Sequence, residues 1–109
     1  MALLSSYNKS NNQKLYFSKE ELTKILGVYS QYVAKGEWKD YAMDFDNKNA
    51  FFYTYKNTNT KPDCIFTKYK ENNKKKIFYK LVFKNKSKNY NNLDNLIRYL
   101  KRKQFRIIN

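Results

Sequence analysis

The sequence predicts an α+β fold in the order α-β-β-β-β-α, a four-stranded antiparallel meander sheet packed by two helices. Three observations predict it. Apolar residues recur at helical spacing near both ends, and the spacing drops to two between Asp40 and Lys84. Much of the apolar content is carried by rings (Tyr 11, Phe 8, Trp 1), which suit the pleated surface of a sheet.

The first helix is marked at both ends. Ser18 and Glu21 have the spacing of a capping box, and Phe17 and Leu22 occupy the two positions of a hydrophobic staple. Leu22, Ile25, Leu26, Tyr29 and Val33 then form one apolar stripe, and Gly36 stands where a left-handed residue ends a helix. From Asp40, Tyr41, Met43 and Phe45 alternate with Asp40, Ala42 and Asp44, as in a strand with one face in the core. Asp46 to Asn49 turns, Ala50 to Lys56 is a second strand, Cys64 to Lys70 a third and Lys76 to Lys84 a fourth. Asn85 to Tyr90 is a basic connector to a second helix, capped by Asn91 or Asn92, with the stripe Leu93, Leu96, Ile97 and Leu100. The tail Phe105 to Ile108 is expected as a short edge strand. Residues 1–14 form a disordered polar arm and residues 15–109 one α+β domain, whose chain length buries about 60 to 65% of the unfolded surface.

Pairing the strands across their turns sorts the side chains into two faces. A turn centred on Asn47-Lys48 sets Phe45 opposite Ala50, Met43 opposite Phe52 and Tyr41 opposite Thr54, because cross-strand partners share a face. Phe51, Tyr53 and Tyr55 then point the other way. A turn centred on Asn72-Asn73 sends Phe66, Tyr79 and Leu81 to the first face, and Ile65, Tyr69, Phe78 and Lys80 to the second.

Twenty-three basic residues against nine acidic ones give a formal charge of +14, which attracts polyanions. The excess is Lys rather than Arg, and Asn is abundant while Gly, Pro and Ala are scarce, so part of it reflects A/T-rich codons. The field is physical whatever its origin. Rings stack bases and lysines neutralise phosphates, so the second face and its flanks are the candidate nucleic-acid site: Phe51, Tyr53, Tyr55, Lys56, Lys68, Tyr69, Phe78, Lys80 and Lys84, with Lys86 and Lys88 leading into the second helix. The alternative is a protein-interaction adaptor or homodimer that meets an acidic partner through Glu37, Trp38 and Asp40 or through an open strand edge.

Other chemistries lack their residues. There is no histidine and a single cysteine, Cys64, so thiol–imidazole pairs, Ser-His pairs and the usual zinc and redox-metal sites are excluded. Two glycines, Gly27 and Gly36, cannot make a phosphate-cradling loop. The acidic group Glu37, Asp40, Asp44 and Asp46 is expected to be a solvated strand edge and a turn. The sequence thus predicts no enzyme and no cofactor. One cysteine, no apolar run for a signal and none of the roughly 20 residues a membrane span needs predict a cytoplasmic protein with no membrane partner.

Tyr16-Phe17, Leu26-Gly27-Val28-Tyr29 and above all Gly36-Glu37-Trp38-Lys39-Asp40-Tyr41-Ala42 resemble a small alphaproteobacterial family known as a domain of unknown function. The resemblance runs from Tyr16 to Lys56 with an echo in the Leu93 to Leu100 segment. It implies a cytoplasmic bacterial protein with no established activity, and it supplies no catalytic residues.

Overall fold

The computed structural model describes residues 13–57, 60–71 and 75–108, with side chains described as far as Lys103. The predicted arm lies outside the described residues as far as Asn12. Order starts at Leu15, whose amide donates to the Asp46 carbonyl at 2.7 Å.

Helix α1 spans Lys19–Ala34. Its capping box forms as expected: the Glu21 amide donates to Ser18 Oγ at 3.0 Å and the Ser18 amide to Glu21 Oε1 at 2.8 Å. At the other end Gly36 adopts φ +78°, its amide donates to the Val33 carbonyl and that of Glu37 to the Tyr32 carbonyl, a Schellman closure. The buried stripe is rotated from the expected one. Ile25, Val28 and Tyr32 are buried, while Leu26 and Val33 are 38% and 40% exposed. Leu26 and Val33 sit one residue round from Ile25 and Tyr32, so two stripes overlap in the sequence. The phenol decides between them, because Tyr32 donates its hydroxyl to the Leu100 carbonyl at 2.8 Å inside the core.

Five strands follow: β1 Asp40–Phe45, β2 Asn49–Tyr55, β3 Cys64–Lys70, β4 Ile77–Phe83 and β5 Lys86–Tyr90. They form one antiparallel meander in the order β1-β2-β3-β4-β5. The β1–β2 register is the expected one, with Phe45 opposite Ala50, Met43 opposite Phe52 and Tyr41 opposite Thr54. Between β3 and β4 Phe66 faces Leu81 and Lys68 faces Tyr79. This register is displaced by two residues from a turn centred on Asn72-Asn73, and an even displacement leaves every side chain on its predicted face.

The expected basic connector is β5. Lys84 and Asn85 take φ 53° and 65°, the two left-handed positions of a type I′ turn, and Phe83 pairs with Lys86 across it. Helix α2 then runs Leu93–Ile108, so Phe105 to Ile108 continues the helix instead of forming the expected edge strand. Asn92 caps it, accepting the Asn95 amide at 2.9 Å, and its predicted stripe Leu93, Leu96, Ile97 and Leu100 is buried.

Both helices pack on the first face. Beneath them lie Ala50, Phe52, Cys64, Phe66, Leu81 and Phe83, and burial pushes the Cys64 thiol well up. Trp38, 1% exposed, sits where α1 meets the sheet; it stacks on Tyr32 at 4.3 Å and meets Phe66 and Phe83 edge-on. Its Nε1 donates to Asp63 Oδ2 at 2.8 Å, so the indole is buried without an orphan donor. Truncating such a ring costs about 3–5 kcal/mol.

A second polar network ties α1 to the sheet. Glu21 accepts from Lys68 Nζ at 2.8 Å and from the Tyr79 hydroxyl, and Lys68 also donates to the Tyr16 carbonyl at 2.8 Å. Burial pushes the Glu21 pKa up, but the bonds from Lys68, Tyr79 and the Ser18 amide together outweigh it and hold the carboxyl below its ordinary value.

Candidate nucleic-acid interface

The second face carries alternate residues of every strand, and the register arranges them in rows. One row runs Asp44, Phe51, Thr67, Lys80, Asn89; the next runs Ala42, Tyr53, Ile65, Val82, Ser87. Asn49, Tyr69 and Phe78 form a shorter third. The ring and ion contacts that α1 and Trp38 make with the strands all go to first-face positions, Tyr41, Phe52, Phe66, Lys68, Tyr79 and Phe83. Among the described residues nothing lies over the second face.

Its rings are half-buried by one another and open on one side. Phe51 and Tyr53 stack along β2 at 5.8 Å, and Tyr69 and Phe78 meet across β3 and β4 at 5.8 Å. Burial, then the Asp44 charge, raises the Tyr53 phenol pKa, so the phenol stays neutral at physiological pH and remains a hydrogen-bond donor. Lys80 stands in the central row, and Lys76 places its ammonium 5.5 Å from the Phe78 ring centre. The charge runs across the sheet, acidic at β1 (Asp40, Asp44) and basic at β4.

Of the predicted site, this face brings together Phe51, Tyr53, Tyr55, Tyr69, Phe78 and Lys80. The other lysines lie elsewhere. Lys68 shares the parity of Phe66, so it points under the helices and is held by Glu21, its side chain 12% exposed. Lys56 lies 3.8 Å from Glu37 at the end of β2. Lys84 lies in the β4–β5 turn, 5.3 Å from the Phe83 ring. Lys86 and Lys88 pair with Phe83 and Leu81, which turns them to the helix side, where Lys88 lies 4.6 Å above the Tyr99 ring.

The alternative contact set is rearranged as well. Trp38 is a core ring and presents no surface, Glu37 faces Lys56, and Asp40 accepts the Tyr41 amide. Asp46 is a turn former: the Lys48 amide, then that of Asn49, hold its carboxyl below the ordinary value. No three His, Cys, Asp or Glu side chains converge among the described residues. No helix among them is long and apolar enough to cross a membrane.

Sequence reasoning missed Lys76 and the cluster of Tyr99, Arg102 and Lys103 that joins Lys86 and Lys88. The signal for Lys76 was its parity with Phe78 and Lys80. The second cluster needs the β5 hairpin, without which its two halves are unrelated.

A family model described as a protein of unknown function (DUF2794) matches residues 15–97. The chain belongs to the DUF2794 family. The match starts at the residue whose amide first ties the chain to the sheet and ends within α2, so it takes in all five strands. No curated protein and no solved structure matches the chain.

Proposed function

We propose that this protein is a non-catalytic module that binds single-stranded nucleic acid, RNA or single-stranded DNA, on the second face of its sheet. The observation that carries the reading is the uncovered row of rings. Phe51, Tyr53, Tyr69 and Phe78 are fixed in pairs by the pleat, and Lys76 and Lys80 stand beside them. Such rings accept any base, each stack contributing about 1–3 kcal/mol, while lysines take the phosphates.

The test is anisotropy of a labelled oligouridylate against salt. About five phosphate contacts give a log–log slope near −3.5 on a single strand. Replacing Phe51→Ala and Tyr53→Ala together is expected to weaken binding at least about 30-fold, if two stacks of 1 kcal/mol or more are lost. Unchanged affinity in that variant, with its fold intact by circular dichroism, would remove the stacking surface. A flat salt dependence would remove the nucleic acid.

One observation favours a protein partner instead. Tyr41 and Met43 of β1 are each 41% exposed, beside Leu26 and Val33 of α1, which flank the Tyr29 ring that meets Tyr41 at 5.2 Å. This apolar strip suits an adaptor surface. Asp40 and Asp44 argue against β1 pairing with a second copy of itself, since an antiparallel pair centred on Ala42 sets these carboxylates opposite each other. Elution volume and absorbance ratio of protein purified without nuclease separate the two readings.

A further inference from the structure

We propose that the cleft between β5 and the middle turns of α2 binds phosphates, and that it grips the backbone of a strand that leaves the open face over the β5 edge. The cleft holds about 310 Å³ and is lined by Lys86, Lys88, Tyr99, Arg102 and Lys103. Four cations and one phenol meet there, with no carboxylate among the described residues.

Three cations form ion pairs elsewhere among the described residues: Lys24 with Asp94, Lys56 with Glu37 and Lys68 with Glu21. None of the four in the cleft has an ion-pair partner among the described residues. Two of them converge on a single ring, Lys88 Nζ at 4.6 Å and Lys103 Nζ at 5.5 Å from the Tyr99 centre. The ring face attracts both ammoniums and so holds like charges near each other, an arrangement that repels itself until an anion enters.

Structural roles account for parts of this cluster and not for the whole. Cations near a helix C-terminus answer its dipole, but Arg102 and Lys103 stand six and five residues short of Ile108, where that effect is weak. Lysines on an edge strand discourage pairing with another sheet, which covers Lys86 and Lys88. The Tyr99 ring draws Lys88 and Lys103 together, but none of these reasons sets Lys86 and Arg102 beside them in one cleft. A ligand with several negative charges would use all four, and Arg102 adds the planar fork that phosphate accepts.

The pleat of β5 links this cleft to the open face. Ser87 and Asn89 point to the ring side, and Lys86 and Lys88 to the cleft, so a polymer crossing this single edge strand passes from one to the other. Among the described residues no further strand lies outside β5 to block the way. The nature of the ligand rests on the nucleic-acid reading; the cleft itself does not depend on the rings.

The experiment uses the full chain and a labelled oligouridylate titrated at increasing salt. One variant carries Lys86→Gln, Lys88→Gln, Arg102→Gln and Lys103→Gln. A control of equal charge carries Lys35→Gln, Lys39→Gln, Arg98→Gln and Lys101→Gln. Removing four phosphate contacts at about 0.7 each is expected to flatten the slope by about 2.8, so that about 50-fold less affinity is lost between roughly 50 and 200 mM salt. The control is expected to keep the parent slope, and Lys88→Gln alone to change it by about 0.7. A cleft variant with the parent slope overturns the proposal, as does a control that flattens equally, since the whole field would then be acting. The ring variant separates the two ideas: weaker binding at an unchanged slope belongs to the open face. If only the cleft variant has an effect, the cleft stands and the stacking surface falls. If the parent binds no strand, both fall.

Discussion

Replacing Glu21 with alanine tests the joint between α1 and the sheet. The carboxylate returns a hydrogen bond to the Ser18 amide, and it takes one from Lys68 and one from Tyr79. Its loss leaves Lys68, 12% exposed at the side chain, with the Tyr16 carbonyl as acceptor, and removes the acceptor of the Tyr79 hydroxyl. Breaking a fully buried pair costs about 3–5 kcal/mol. Discounting for the water these groups still see, and adding back a weakened cap, the expected cost is about 2–4 kcal/mol. At about 4 °C per kcal/mol for a domain of this size, Tm falls by roughly 8–16 °C. The double variant Glu21→Leu, Lys68→Met is expected to lose about 1 kcal/mol or less, because removing both charges leaves neither orphaned. The exposed pair Lys24–Asp94, 40% and 62% accessible, serves as the control, with Lys24→Ala expected to leave the urea midpoint essentially where it is. Urea unfolding of the parent, Glu21→Leu, Lys68→Met and the double variant closes the cycle. The pH dependence has a definite sign. A folded-state pKa below the ordinary value makes this stabilisation complete above about pH 4.3, the unfolded value, and lost as pH falls through the folded one. Glu21→Gln should therefore flatten the acid limb of the stability curve. A cost under about 1 kcal/mol for Glu21→Ala, or losses that simply add in the double variant, would refute the network as a stabilising joint.

Two further outcomes follow from groups in the core. Tyr32 and Tyr79 have phenol pKa values pushed well up, Tyr32 by burial first and Tyr79 by burial and then its bond to Glu21; the stability they lend is complete below about pH 10 and lost as pH rises through their folded values. Tyrosinate absorbance and circular dichroism should then change together in alkali, and ionisation of all tyrosines at the ordinary value with the fold intact would contradict this. Thr54 is fully buried with Oγ1 unpartnered, so Thr54→Val should raise stability by about 1 kcal/mol in urea, and a loss would mean that the hydroxyl is satisfied.

The sequence carried the parity of the sheet well, because a period of two is rigid within each strand and the assumed β3–β4 turn was displaced by an even number: Phe51, Tyr53, Tyr69, Phe78 and Lys80 share one face as expected. The same parity put Lys68 beneath the helices, and only its charge suggested the surface. What stayed hidden depended on chemistry that sequence patterns signal weakly. The β4–β5 hairpin turns on Lys84-Asn85, where the usual signal is Asn-Gly, so β5 looked like a charged connector. Tyr32 is buried with its hydroxyl on the Leu100 carbonyl, and the buried Trp38 indole, the expected core ring, finds its acceptor in Asp63; both partners are distant in the chain. Which face the helices cover was left open by the sequence; both choose the first, which spares Lys80 and the β1 carboxylates on the other from desolvation.

The one-sided placement of the helices also separates two kinds of selection. Residues that hold the fold together lie almost entirely on the first face, so the outward positions of β2, β3 and β4 can change their chemistry with little effect on folding. The chemistry of the outward surface is thereby free to drift among chains that keep the same scaffold.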